Sequence, residues 1–378
     1  MKGLKDRLIS GLLFLLSLAL CFFSAQKFRE QHKKETLFPS RGLASREMLS
    51  SYFPGLIDTP GDTEVYIYGG QNPGGNILIL GGAHPNEPAG YLTAVILIEN
   101  IQVSQGKIIV IPRANNSGFT HSEPQEGNLR GYSLETPGGK RFFRFGSRLT
   151  NPIHQWPDPT LYINPSGQRL SGQESRNINR CYPGKPKGHL TEKIAFAIME
   201  IIKKEKIDLA IDLHEAAPEY PVVNAIVFHE NSAELASYSL MELQQIGFEF
   251  QLELSPNNLR GLSHREWGDH AQVMAILLET ANPSQGRLKG KSSLSLIIEG
   301  KDRNYSKAAK FGLLFVPFDS EGIPLKLRVA RHLASIKILL SSFNELNPEK
   351  RIEVNHMPSS SQVKLKGIGQ FLCPPYRK

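Results

Sequence analysis

The run Asn76-Ile-Leu-Ile-Leu80-Gly81-Gly82-Ala83-His84-Pro85-Asn86-Glu87-Pro88 decides the fold. Its unbroken apolar stretch, stopped by two glycines, marks a short strand buried on both faces rather than one with a wet side. A helix is expected directly after it, over 88–100. Lys107-Ile-Ile-Val-Ile111 then reads as a second buried strand. Buried strands alternating with helices point to a parallel or mixed sheet covered on both sides.

Outward from this core the alternation continues. Glu64-Val-Tyr-Ile-Tyr68 reads as a strand upstream. Downstream, residues 117–188 are rich in Gly, Pro, Asn and Arg and show little periodicity. A loop region that long inside a compact domain is usually functional. Regular pattern resumes with a helix over 191–204, strands over 208–212, 222–228 and 275–278, and a helix over 327–344. A short basic tail follows, with a strand expected near 363–366. The fold class is therefore α/β, with a central mixed, mostly parallel sheet and helices on both faces.

At 378 residues, with 40% hydrophobic and 21% charged residues, the chain is long and apolar enough for one large folded domain. The net charge is +8, but the basic residues are scattered and form no arginine-rich block interleaved with aromatics. Nucleic acid is not expected as a partner. The N-terminus differs from the rest: Lys2, Lys5 and Arg7 precede an apolar run from Leu8 to Phe23, closed by Ser24 and Ala25. That is the layout of an export signal, or of an uncleaved membrane anchor. The expected organisation is a signal or anchor over 1–25, a polar linker over 26–50, one folded domain over 51–346 and a tail over 347–378. Exported placement follows, either periplasmic or anchored facing outward, with membrane contact only through the first segment. Cys21, Cys181 and Cys373 form no CxxC pair, which argues against a thiolate zinc site; whether Cys181 and Cys373 bridge is left open.

Chemistry concentrates at strand ends. His84 and Glu87 stand three apart where a loop enters a helix, and both residue types ligate zinc. The same spacing recurs at His32 with Glu35, in the linker, and at His189 with Glu192, at a helix start. His84 is set apart by following a buried strand, on the sheet edge where α/β proteins hold ligands. A loop histidine beside a first-turn glutamate, favoured there by the helix dipole, is the plain alternative. His214 ends the strand Asp208-Leu-Ala-Ile-Asp212-Leu213 and falls on the same edge if the strands are parallel. Two histidines and a glutamate leave one zinc position open, the mark of a catalytic centre. Asp212 either orients a ligand or is a plain strand residue. Glu279 ends Ala275-Ile-Leu-Leu278 and is suited to move a proton beside the metal. Asn179-Arg180, ahead of Cys-Tyr182-Pro183-Gly184, offers a planar fork for a substrate carboxylate, with the asparagine beside it.

In this order and context the four elements resemble the zinc carboxypeptidase superfamily, and in it the succinylglutamate desuccinylase/aspartoacylase branch. The likeness spans about residues 64–283. It implies one zinc ion per chain held by His84, Glu87 and His214, with Glu279 as general acid/base and Asn179 and Arg180 on the substrate carboxylate. Asn115-Asn-Ser-Gly-Phe119 is similar to the family's Asn-Pro-Asp-Gly turn. Beyond that turn the resemblance expects an arginine that polarises the carbonyl: Arg144, with Arg148 as its competitor. Two positions depart from the family. Asn177 stands where an acid supports a zinc histidine, and no tyrosine occurs between Leu252 and Leu278, where His264, Glu266, Trp267 and His270 lie instead.

The resulting expectation is a zinc amidohydrolase that cleaves an N-acyl or peptide amide beside a carboxylate, with a small acidic acyl-amino acid or peptide as substrate. The alternatives are a metallocarboxypeptidase releasing C-terminal residues, cell-wall peptides included, and a non-catalytic carboxylate-binding protein of the same fold.

Overall fold

The computed structural model describes residues 2–122 and 129–375. It separates into two units, 1–35 and 36–378. The first unit is essentially one helix, α1 (Lys2–His32), whose span Gly3–His32 is long and apolar enough to cross a membrane.

The second unit is built on a nine-stranded sheet. Down the chain its first strands are β1 (Ser45–Met48), β2 (Glu64–Gly69), β3 (Asn72–Leu80) and β4 (Gln102–Ile111). Two small hairpins follow, β5 (Gly131–Thr136) with β6 (Gly139–Arg144), and β7 (Leu161–Ile163) with β8 (Arg169–Ser171). The sheet resumes with β9 (Leu209–Ala216), β10 (Ala225–Phe228), β11 (Gln251–Leu254), β12 (Met274–Ala281) and β13 (Glu353–Asn355). The strand order is β1-β2-β4-β3-β9-β12-β10-β11, with β13 added to β4. The centre, β4-β3-β9-β12, is parallel; β1, β2, β10 and β13 pair antiparallel, and β11 pairs parallel with β10.

Successive residues of a strand face opposite sides, so each central strand feeds two cores. Ile77 and Ile79 join the core under α2 (Pro88–Asn100), while Leu78 and Leu80 join the one under α3 (Leu190–Lys204). Helix α3 carries its apolar stripe at Ile194, Ala197, Ile198, Ile201 and Ile202, the spacing of one helical face. Helix α2 is buried over nearly its whole length, including both faces, because the long helix from Leu325 to Leu346 packs outside it. Gly90 permits this fit: a Cβ there would stand 2.4 Å from the Leu213 carbonyl oxygen. Gly82, at φ +64°, turns the chain off β3 toward His84 in a backbone region that L-residues avoid.

Several expected boundaries move. Residues 36–50 are part of the domain, since Leu37 and Leu49 are buried and 45–48 pair with β2. Residues 347–375 also pack onto it through β13 and through buried Val363, Ile368 and Leu372. The strand expected near 363–366 is instead a helix, Ser360–Lys366, capped by Ser359 accepting from the Gln362 amide. Strands β9 and β12 run past their expected ends and carry His214 and Glu279 within the ladder, where backbone pairing continues beyond the last apolar residue. Cys181 and Cys373 are both free thiols.

Candidate metal centre

The sheet's carboxyl edge gathers the residues the sequence singled out. His84 follows β3 and Glu87 immediately precedes α2; the Glu87 amide donates to the His84 carbonyl at 2.9 Å, closing the turn that brings both side chains inward. His214 lies in β9 and Glu279 in β12, directly paired in parallel register, so both side chains project from the same face.

Glu87 bridges the two histidines. Its Oε1 lies 2.7 Å from His84 Nδ1 and its Oε2 lies 2.9 Å from His214 Nδ1. The Glu215 amide also donates to Oε2, at 2.9 Å. Behind the rings, His84 Nε2 is 2.9 Å from Asn177 Oδ1, and His214 Nε2 is 2.9 Å from Asp212 Oδ2. Both imidazoles thus point Nδ1 at a common centre and hold Nε2 against an outer acceptor, as metal-ligating histidines do. Ligand atoms of His84, Glu87 and His214 all lie within 4.8 Å of one another, and all three side chains are buried. This donor set, nitrogen and oxygen with outer acceptors in place, fits a zinc ion. Asn177 keeps the acceptor that the family's acid would supply, since its amide oxygen takes the histidine N–H equally well.

The charges around the centre favour a cation. His84 and His214 hold the Glu87 carboxyl well below its ordinary value, against the burial that opposes them. Burial alone would lower His214, but Asp212 and Glu87 hold it well above its usual value. Burial pushes the Glu279 carboxyl up to about 8; His214 opposes this, and Glu87, Asp212 and Glu215 add to it. Its Oε2 is buried with no hydrogen-bond partner among the described residues. A buried carboxylate without a donor is costly, so the site suits a proton-carrying group.

A cavity of about 330 Å³ opens beside these residues. His84, Glu87, His214 and Glu279 line it, together with Arg148, Asn179 and Arg180. Arg180 Nη1 donates to the Asn179 carbonyl at 2.6 Å, and its Nε stands 3.9 Å from Glu174 Oε2. Burial first, and then the neighbouring Arg148 charge, pull the Arg180 guanidinium down. Asn179 Oδ1 accepts the Ser263 amide at 2.8 Å, at the start of helix α4 (Ser263–Ala271). Ser263 Oγ in turn donates to Asp212 Oδ2 at 2.6 Å, which fixes the carboxylate behind His214.

Arg144 is the arginine expected at the carbonyl, with Arg148 as its competitor. It ends β6, buried, with its guanidinium 5.3 Å over the Phe119 ring, and it is absent from the cavity wall. The competitor Arg148, four residues on and past the hairpin, reaches the wall. His264 was not singled out as a site residue, yet it lines the cavity with neither ring nitrogen hydrogen-bonded among the described residues, and burial pushes it down to about 3. The signal for it was its place next to Ser263, which only the Asn179 and Asp212 contacts make visible. The two other His-x-x-Glu pairs are accounted for locally: His32 ends α1, and Glu192 accepts the His189 amide at 3.0 Å to cap α3.

Residues 73–288 match the profile of the succinylglutamate desuccinylase/aspartoacylase catalytic domain. The chain belongs to this family. It is a member of the deacylase branch of the zinc carboxypeptidase-like superfamily. Among solved structures, a succinylglutamate desuccinylase/aspartoacylase from Rhodobacter sphaeroides is similar at 17% identity, over 58% of this chain and 51% of that one, with a TM-score of 0.35. The apo cell shape determinant protein Csd4 from Helicobacter pylori is similar at 14% identity, over 80% and 59%, with a TM-score of 0.47. The product-bound ectoine utilization protein EutE (DoeB) from Ruegeria pomeroyi is similar at 19% identity, over 68% and 63%, with a TM-score of 0.37. The chain therefore spans between about half and two thirds of these proteins' length. Among curated proteins, no sequence matches it.

Proposed function

We propose that this chain is an exported zinc hydrolase that cleaves an amide bond next to a substrate carboxylate, in an N-acyl amino acid or a peptide. The observation that carries the reading is the paired histidine geometry: two Nδ1 atoms facing Glu87, two Nε2 atoms held by Asn177 and Asp212. His84, Glu87 and His214 would hold the metal. A zinc ion there supplies Lewis-acid polarisation and stabilises developing negative charge. The chain's own groups do the rest. Arg180 grips the substrate carboxylate in two-point contact. Glu279 takes a proton from the attacking water and delivers one to the leaving nitrogen. Arg148 faces the charge that develops on the carbonyl oxygen. The hydroxyl goes to the acyl carbon and the hydrogen to the amine. Asn179 acts mainly through Ser263, as a positioning residue. Helix α1 serves as export signal or anchor, which places the substrate outside the cytoplasm.

The test is metal analysis of the purified protein, paired with hydrolysis of N-acyl amino acids and of short peptides. Zinc at about one ion per chain, with turnover abolished by a chelator and restored by zinc, supports the reading. Release of the acyl group or of the C-terminal residue separates deacylase from carboxypeptidase. A metal-free protein with no hydrolysis across the panel overturns it in favour of a carboxylate-binding role.

A further inference from the structure

We propose that the far wall of this cavity, on β10 and the edge strand β11, is a subsite for an ammonium group; the idea deepens the hydrolase reading and rests on it. Strand register fixes the layout. Val227 pairs with Leu277 on one side and with Glu253 on the other, so Leu277, Val227 and Glu253 form one row across three strands. All three line the cavity. Glu279 lies two residues along β12 from Leu277. Two strand spacings and two residues of rise put the Glu253 and Glu279 backbones roughly 12 Å apart. Val227 and Leu277 lie between them, and Val222, Pro256, Leu259 and Leu262 add apolar surface to the cavity lining.

Glu253 is half-buried and has no ion pair or hydrogen bond from its side chain among the described residues. Its acidic neighbours differ. Glu230 pairs with Arg265, Glu266 with Arg260 and His270, and Asp269 with Arg260 and His229. One carboxylate on this wall is thus left without a counter-charge, and it faces the cavity. The cavity is polarised: Arg148 and Arg180 beside the candidate metal centre, an apolar stretch, then Glu253. A partly desolvated carboxylate attracts a cation and repels a second carboxylate more strongly than one in open water. The substrate that fits has its carboxylate at Arg180, the scissile amide at the centre, an aliphatic span of about a dipeptide's length, and a primary ammonium at the end of its acyl portion. This disfavours acyl groups that end in a carboxylate and favours aminoacyl or peptidyl ones.

The experiment compares three N-acyl alanines of matched length, ending in ammonium (aminohexanoyl), methyl (heptanoyl) and carboxylate (adipoyl). Expected for the full-length zinc-loaded protein is a kcat/KM for the ammonium compound about tenfold above the methyl compound, the worth of one partly buried charge pair, with the carboxylate compound lowest. In Glu253→Gln the ammonium-to-methyl ratio falls toward one, and in Glu253→Lys the carboxylate compound becomes the preferred one. Equal rates for all three in the wild type, or an unchanged ratio in Glu253→Gln, overturn the subsite while leaving the hydrolase reading intact. Calorimetric binding of the same three compounds to the Glu279→Gln protein gives the order without turnover. If nothing is hydrolysed, that order still decides the subsite, and the hydrolase reading alone falls.

Discussion

The ring of His84 meets the ring of His214 edge to face, with centroids 4.6 Å apart, although His84 stands in the loop after β3 and His214 within β9. Two buried imidazoles this close have no apolar reason to meet when a carboxylate lies between their Nδ1 atoms; a shared ion gives them one. His84→Ala and His214→Ala are each expected to lose the metal. Metal content by mass spectrometry should drop from about one ion per chain to background. Full retention of zinc in either variant would remove that residue from the ligand set.

Asn177 supports His84 from behind through a single 2.9 Å contact. Asn177→Ala should weaken zinc affinity by about 10- to 100-fold, the usual cost of deleting an outer acceptor. Asn177→Asp should bind at least as tightly as the wild type, because a carboxylate accepts the same N–H with added charge. Competition against a fluorescent chelator gives both numbers. An unchanged affinity in Asn177→Ala would mean that the contact holds the loop and not the ligand.

Metal binding should strengthen as pH rises. Asp212 and Glu87 hold His214 well above its usual value, so an ion has to displace a proton from it. Acid favours the competing proton and alkali removes it. Apparent zinc affinity measured at about pH 6 and about pH 8 should differ in that direction, with protons released on binding. A flat profile would contradict the protonated state of His214.

Glu279→Gln is expected to keep the metal and to lose turnover by about 10²- to 10⁴-fold, the range for removing a general acid/base. The same variant checks the linkage. In the ion-free protein the folded carboxyl titrates at about 8, above an unfolded glutamate. The folded state then binds the extra proton between the two values, so stability is full below the unfolded value and declines as pH rises toward about 8. Glu279→Gln should flatten that part of the curve in chemical denaturation of zinc-free protein; an unaltered slope would refute the raised value.

Arg328 reaches Glu215 at 2.7 Å with both side chains fully buried, and Glu215 Oε2 accepts the Ala89 amide at the start of α2. Arg328→Ala leaves that carboxylate buried without its cation. A loss of about 3–5 kcal/mol in unfolding free energy is expected. Arg328→Lys should recover only part of it, because a point charge replaces a fork.

The cluster of His84, Glu87 and His214 was legible because the two histidines follow closely on apolar runs, and an apolar run is the strongest signal a sequence carries. The same logic found Glu279, since β12 reads as Ala-Ile-Leu-Leu before the carboxylate. It does not choose between the two arginines. The described residues of 117–188 form short hairpins and single turns, held by contacts such as Asn115 Oδ1 accepting the Gly118 amide, and no period announces which side chain faces inward. Arg144 and Arg148 are indistinguishable there until the hairpin places one over Phe119 and the other on the cavity. Ser263 escaped notice for a related reason: its role exists only through Asn179 and Asp212, which stand 84 and 51 positions away in the chain. The helix over 360–366 is hidden in the sequence because the buried apolar residues around it, such as Val363, Ile368 and Leu372, are too irregularly spaced to show a period.

The direct pairing of Glu279 with His214 across β9 and β12 has a consequence for how this protein can change. The spacing between the Glu279 and His214 backbones is set by amide ladders, not by flexible loops. Surface loops elsewhere can lengthen or shorten freely, but removing one residue between Val273 and Glu279 would turn the carboxylate to the opposite face of the sheet and silence the centre without unfolding the domain.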